Sequence, residues 1–286
     1  MSAATLGRVL CWAQRRLAGA GIEAAKREAR LLVGHAMGID AAGLIAASHD
    51  APPPGLAARL DPLLRRRAGR EPLAHVLGRA EFYGLDLLCD ARALVPRSDS
   101  EAVVDWALEL AGEGPAALAD LGTGSGCLLL AALSQRPGLT GAGIDVSADA
   151  IALAEANAEA TGLAGAARFE AVSWAAWQGW GAADLIMSNP PYIAAGVIET
   201  LEPEVRDHDP RGALDGGPDG LSAYRELIAL GRARMKPGAW LVLEIGHDQR
   251  KAVLDLLAAA GFVQADCRQD LSGHDRVVAA RAPFHR

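Results

Sequence analysis

The sequence predicts an α/β protein: a mostly parallel, Rossmann-like sheet with helices on both faces, preceded by a small helical domain and a β-hairpin linker. Three observations carry this. Up to about Arg70 apolar residues recur at helical spacing throughout. From about Asp99 short apolar runs alternate with helical stretches, the pattern of repeated βα units. Between them, Glu81–Cys89 alternates in part like a strand. The 286 residues therefore divide into a helical domain over 1–72, a hairpin linker over 73–98 and an α/β domain over 99–286.

In the first domain Leu6, Val9, Leu10, Ala13 and Leu17 share one helix face, as do Ala25, Ala29, Leu32, Val33 and Ala36. Asp50-Ala51-Pro52-Pro53-Pro54-Gly55 breaks the pattern and Leu56–Arg70 resumes it, giving about four helices. Ala93-Leu94-Val95-Pro96 is expected to pair back on Glu81–Cys89 as the second arm of a hairpin. Then come helix Asp99–Ala111, strand Ala116–Leu121, helix Cys127–Gln135, a strand ending at Ile144 and helix Ala148–Ala160. Strands Ala167–Val172 and Ala183–Ser188, helix Leu221–Met235, strand Ala239–Ile245 and helix Gln249–Ala260 continue the alternation. Two closing strands, Phe262–Cys267 and Arg276–Ala280, flank the turn-rich Asp270–His274 and suit an antiparallel hairpin at the sheet edge.

Composition narrows the function. Hydrophobic residues make up 51% and charged ones 22%, a globular balance. Apolar runs fall short of membrane-spanning length, and Arg8, Arg15 and Arg16 interrupt the N-terminal segment, so a cytoplasmic protein without membrane contact is expected. A net charge of −7 argues against stable nucleic-acid binding. The basic run Arg65–Arg70 reads as a solvated helix end, with an RNA or acidic partner as the alternative. Cys11, Cys89, Cys127 and Cys267 lack paired spacing, which predicts buried free thiols rather than disulfides or a metal site.

Three segments carry chemistry. Asp120-Leu121-Gly122-Thr123-Gly124-Ser125-Gly126 follows a strand and opens a helix, so its backbone can approach a ligand closely. The spacing is not that of a dinucleotide fingerprint, and no Lys-Ser/Thr follows to hold phosphates. Asp145, at the end of the next strand, can accept both hydroxyls of a ribose, while Ser147 caps the helix that follows. A ribose carboxylate without phosphate machinery fits S-adenosylmethionine. Finally, Asn189-Pro190-Pro191-Tyr192 stands where the strand ending at Ser188 runs out. Its prolines stiffen the backbone, Asn189 adds a side-chain acceptor and Tyr192 a flat face. Such a bend suits a planar NH2 group whose two protons need acceptors; a plain proline turn closing a strand is the competing reading.

Together these segments resemble the HemK/PrmC family, the release-factor glutamine N5-methyltransferases, and the similarity runs over nearly the whole chain. Glu71-Pro72-Leu73-Ala74-His75-Val76-Leu77-Gly78 with Glu81-Phe82-Tyr83-Gly84 is similar to the family's interdomain signature. Val95-Pro96-Arg97 with Glu101, then Asp120–Gly126, Asp145 and Asn189–Tyr192, follow in family order. Glu204-Val205 with Pro210, and Ala213–Gly217 with Asp219–Leu221 and Tyr224-Arg225, are similar to the loop after the motif.

The resemblance implies a seven-stranded methyltransferase domain and an N-terminal domain that helps hold a class I peptide chain release factor. Gly122, Thr123, Gly124, Ser125, Gly126, Asp145, Trp174 and Asn189 would contact S-adenosylmethionine, leaving S-adenosylhomocysteine as product. Asn189, Pro190, Pro191 and Tyr192 would hold the glutamine of a Gly-Gly-Gln loop. By this reading Asn189's side-chain oxygen and Pro190's carbonyl accept the amide protons and Tyr192 packs on the amide. Glu204, Asp207 and His208 are read as a solvated loop, and the enzyme as a monomer without a metal. Two positions depart from the family pattern. Arg97 is followed by Ser98-Asp99-Ser100-Glu101 where the family has Arg-Pro-Glu/Asp-Thr-Glu, and Ser173 precedes Trp174 where an aspartate is common. The rival readings are an N6-adenine DNA or RNA methyltransferase, a glutamine methyltransferase acting on a ribosomal protein, and a non-catalytic cofactor-binding scaffold.

Overall fold

The computed structural model describes residues 5–284, in two compact units. One holds the chain up to Gly78 together with Glu202–His208; the other holds Arg79–Leu201 and the chain from Asp209 onward.

The helical unit is built from α1 (Leu6–Gly19), α2 (Ala25–Met37), α3 (Ala41–Ala46), α4 (Leu56–Ala68) and α5 (Leu73–Leu77). Leu6, Ala13 and Leu17 of α1 pack with Ala29, Leu32 and Val33 of α2 and Leu60 and Leu64 of α4 in one buried cluster. Gly38 ends α2 in the left-handed conformation, φ 70°, and Asp40 caps α3 by accepting from the Gly43 N–H at 2.8 Å.

The basic run is only in part a solvated helix end: Arg65 and Arg66 are exposed, but Arg67 and Arg70 are not. Arg67 is 6% exposed and donates to Glu28 at 2.6 Å and Glu204 at 2.9 Å. Arg70 reaches Glu204 at 2.7 Å, and Arg66 makes a two-pronged contact with Glu71. Glu204 belongs to the excursion Glu202–His208 and is ion-paired rather than free in a loop, whereas Asp207 is exposed as expected. The run looks solvated in sequence because its carboxylate partners lie about 40 and 140 residues away.

The second unit opens with β1 (Arg79–Phe82) and β2 (Leu85–Leu88), paired antiparallel with Phe82 opposite Leu85. Tyr83 (φ 52°) and Gly84 (φ 76°) form a two-residue turn with both φ positive, whose twist matches the strands it joins. The hairpin thus closes within Arg79–Leu88. Ala93–Pro96 is not its second arm, as expected above, but lines a cavity described below. Asn157, fully buried, fastens β2 by accepting from the Leu88 N–H at 2.7 Å and donating to its carbonyl at 3.2 Å.

A 3-10 turn, Ser98–Ser100, leads into α6 (Glu101–Ala111). Then follow β3 (Ala117–Leu121), α7 (Cys127–Gln135), β4 (Thr140–Asp145), α8 (Ala148–Ala160), β5 (Ala167–Ala171) and β6 (Leu185–Ser188). After the short α9 (Pro203–Arg206) and α10 (Arg211–Leu214) come α11 (Ser222–Arg234), β7 (Trp240–Glu244), α12 (Arg250–Ala259), β8 (Val263–Gln269) and β9 (Asp275–Arg281).

The seven strands of the main sheet are ordered β5-β4-β3-β6-β7-β9-β8, parallel except for β9, which runs antiparallel to both neighbours. Alternate residues face opposite layers. Ala119 and Leu121 join the core under α11 and α12, while Leu118 joins that under α6 and α7. The chain starts in mid-sheet at β3, winds to β5, then crosses back to β6. Ligand crevices in open α/β sheets form at such a reversal, outside the carboxyl ends of the strands. Here those ends are Leu121 and Ser188, tied together by a hydrogen bond from the Ser188 hydroxyl to the Leu121 carbonyl.

Candidate active site

Beyond Leu121 the chain turns through Gly122 (φ 79°), Gly124 (φ 54°) and Gly126 (φ 80°), a region open to glycine at little cost. The Gly122 and Thr123 N–H groups donate to the Ile144 carbonyl at 2.7 and 3.0 Å, which ties the loop to β4. Below it Asp120 is fully buried and accepts from the Thr123 hydroxyl at 2.7 Å. Burial pushes its carboxyl up to about 7. Asp145 is gripped at both oxygens, by the Gly124 N–H and the Ser147 N–H, each at 3.0 Å. Ser147 in turn caps α8 through the Ala150 N–H, as its sequence position predicts.

The loop forms one wall of a cavity of about 430 Å³, within the range of small-molecule sites. Gly122–Ser125, Asp145, Trp174, Asn189 and Pro191 line it, with Leu94, Val95 and Val146 as apolar surface. Trp174 is half-buried, packed on the core and also lining the cavity. The cations in the wall are already paired, Arg92 with Asp90 and Arg97 with the buried Asp209. Cys127 also lines the cavity, and burial pushes its thiol up to about 12. Cys89 is buried, but Cys11 is exposed, contrary to the expectation of buried thiols. One anchored carboxylate, a glycine cradle, an indole face and paired arginines fit a nucleoside with a zwitterionic tail better than a phosphate ester.

Asn189 enters the same cavity from the end of β6. Its NH2 donates to the Ser100 hydroxyl at 3.2 Å, so the side-chain carbonyl oxygen points the other way. Pro191 also lines the cavity, but Pro190 is buried, and neither it nor Tyr192 is among the lining residues. Gly126 is not among the lining residues either; it is the N-cap just before α7. Tyr192 is held at two points. Its hydroxyl lies 3.4 Å from Glu244 Oε1, and its carbonyl accepts from Gln249 Nε2 at 3.0 Å. Burial, with the Glu244 carboxylate next in weight, pushes the phenol up to about 12. The loop after α10 packs directly beneath. The Gly216 N–H donates to the Ile193 carbonyl at 2.8 Å, and a Cβ on Gly216 would stand 2.9 Å from Pro191 O and Tyr192 C. Sequence reasoning missed Glu244 and Gln249. In the sequence Gly216-Gly217 is marked only by similarity to the family's loop after the motif; the structure gives Gly216 its reason, this absence of space.

The sheet order, the glycine crevice and the anchored carboxylate define an S-adenosylmethionine-dependent methyltransferase. Residues 108–202 match the model described as the methyltransferase small domain, and residues 8–78 the PrmC N-terminal domain. The chain is 43% identical over 277 residues to the release factor glutamine methyltransferase of Caulobacter vibrioides, covering 96% of both chains. It is 42% identical to the protein of that name from Rhodospirillum rubrum, covering 98% of this chain and 86% of that one. Among solved structures, the hMettl16 catalytic domain bound to an RNA hairpin matches with a TM-score of 0.58 at 17% identity, covering 78% of this chain and 82% of that one, a likeness of fold. The chain belongs to the release factor glutamine methyltransferase family. No single helix among the described residues is long and apolar enough to cross a membrane.

Proposed function

We propose that this protein methylates the side-chain amide nitrogen (N5) of the glutamine in the Gly-Gly-Gln motif of class I peptide chain release factors. One observation carries the reading: Asn189, its amide oriented by Ser100, shares a cavity with the Gly122–Ser125 cradle and Asp145. When bound, S-adenosylmethionine supplies a sulfonium-borne methyl carbon and leaves as S-adenosylhomocysteine. Asp145 would hold the ribose, Trp174 would stack on the base, and Gly122–Gly126 would leave room for the amino-acid portion.

A glutamine amide is a poor nucleophile because its nitrogen lone pair is delocalised into the carbonyl. Asn189 Oδ1 and the Pro190 carbonyl accept its two protons and return electron density to nitrogen. Pro191 and the Tyr192 ring stiffen the bend and fix the direction of approach, a contribution of positioning rather than of acid–base chemistry. Residues 1–72 would form the release-factor-holding domain, 73–98 the linker and 99–286 the catalytic domain. The protein acts as a cytoplasmic monomer in this reading.

Labelled cofactor offered with intact release factor tests it. Label enters wild-type factor and not a factor whose Gly-Gly-Gln glutamine is alanine, and Asn189→Ala loses at least about a hundredfold in kcat. Label entering DNA alone, or near-normal turnover by Asn189→Ala, refutes it.

A further inference from the structure

Behind the Asn189–Tyr192 bend, at the carboxyl end of β7, Glu244 is 2% exposed and meets one of the groups that shape the site. The Tyr192 hydroxyl lies 3.4 Å from Oε1. The Ser100 hydroxyl also stabilises the carboxylate, and Oε2 is buried with no hydrogen-bond partner among the described residues. Ser100 is the group that receives the Asn189 NH2 at 3.2 Å.

A carboxylate accepts and cannot donate. A hydroxyl has one proton, so when Ser100 turns it toward the open Glu244 acceptor its oxygen can only accept. The Asn189 amide must then turn NH2 toward Ser100 and its oxygen toward the cavity. A wrongly turned Asn189 would set NH2 against the NH2 of a glutamine and abolish the acceptor. The same carboxylate draws the Tyr192 hydroxyl inward.

We propose that Glu244 is a positioning residue that fixes the hydrogen-bond direction of Asn189 and Tyr192 without touching substrate. The proposal rests on the glutamine-methylation reading. The charged and titratable groups facing Glu244 are Tyr192, Arg276 on β9, Asp99 beside Ser100 and Cys127 at the start of α7. Tyr224 on α11 adds a hydroxyl that donates to the Glu244 main-chain carbonyl at 2.9 Å. Burial dominates this set and holds the Glu244 carboxyl up to about 7, opposed by Ser100, Arg276 and Tyr192. The acceptor-only form therefore fills in as pH rises through neutrality.

The test is Glu244→Gln, which keeps shape but adds a donor. We expect kcat for release-factor methylation to fall about tenfold or more, while KM for the factor and Kd for S-adenosylhomocysteine stay within about threefold. Wild-type kcat should rise through pH 7, and the variant should lack that step. Wild-type kcat in Glu244→Gln, or a loss confined to thermal stability, overturns the proposal alone. A wild type that labels no release factor overturns the functional reading and the proposal with it. Should Glu244→Gln not fold, Ser100→Ala and Tyr192→Phe read the same linkage. A shared partner makes the double variant's loss smaller than the product of the two singles; a multiplicative loss overturns the proposal.

Discussion

Gly216→Ala isolates the geometry of the Asn189–Tyr192 bend from its chemistry. The added methyl would stand 2.9 Å from Pro191 O, Tyr192 C and Gly220 Cα. Gly216 is not among the positive-φ glycines, so alanine brings little backbone strain and the perturbation is steric. Opening contacts from 2.9 Å to an ordinary 3.4 Å moves backbone by the difference, 0.5 Å. All three neighbours are main-chain atoms and cannot swing aside as a side chain would. Overpacking of this kind costs about 1–3 kcal/mol of stability. Misplacement of reacting groups by 1 Å costs about a hundredfold, so half that shift predicts roughly a tenfold loss in kcat. Methyl transfer to release factor under cofactor saturation, beside denaturant unfolding, measures both. Gly196→Ala, in the segment that follows the bend, is the control: there a Cβ meets nothing within 4 Å and neither quantity should change. A folded Gly216→Ala with wild-type kcat would show that the bend tolerates displacement, and positioning would not be what drives the reaction.

Three further outcomes follow from the same structure. Arg67→Ala leaves Glu28 and Glu204, 12% and 19% exposed, without their shared cation and should destabilise the helical unit by about 3 kcal/mol; an unfolding midpoint within error of wild type refutes this. Burial raises the Glu204 carboxyl, but a backbone hydrogen bond and then the Arg67 and Arg70 contacts outweigh it and hold it below the usual 4.5, so this pairing is complete above that pH and is lost as pH falls below it. For Asp120 the sign reverses. Its folded carboxyl, near 7, keeps a proton that the unfolded chain releases near 3.8, so this group's contribution to stability falls as pH rises between those values. Asp120→Asn should therefore gain on wild type between pH 5 and pH 8 in chemical denaturation; a flat difference contradicts the assignment. Asp145→Ala removes a charged acceptor and should weaken S-adenosylhomocysteine binding about tenfold to a hundredfold by calorimetry, and an affinity within about threefold of wild type excludes Asp145 as the ribose ligand.

Much of this was legible in the chain because the signals were local. The alternation of apolar runs with helical stretches located every strand of the main sheet, and Ser147 caps its own helix through Ala150 three residues on; Asp145 was legible by its place at a strand end, although it grips Gly124, 21 residues earlier. The failures share a cause. Ala93–Pro96 has strand composition, yet Tyr83-Gly84 closes the hairpin ten residues earlier by a turn that needs two positive φ values. Arg67 and Glu204 look solvated because 137 residues separate them. Glu244 reads as the polar end of an apolar strand, since nothing in Trp240–Glu244 says that Tyr192, 52 residues earlier, ends beside it. Long-range pairing of polar groups leaves no period in the sequence.

Four titratable groups in and behind the cavity wall already make contacts that hold the scaffold. Asp120 holds Thr123, Asp145 grips two backbone amides, Arg97 meets Asp209, and Glu244 stands behind Tyr192. An enzyme that had to remove a proton before bond formation would need one of them free and poised. Methylation of a carboxamide does not impose that need: alkylation makes the nitrogen strongly acidic, so its proton leaves afterwards to water. The demand falls instead on direction, on presenting two acceptors to one NH2 group and nothing that donates. In the proposed reading, prolines without N–H groups, a side-chain amide oriented from behind and glycines that admit no Cβ are the means by which a backbone would meet that demand. This is why the bend, rather than any acid–base pair, is the part of the sequence whose letters point to the reaction.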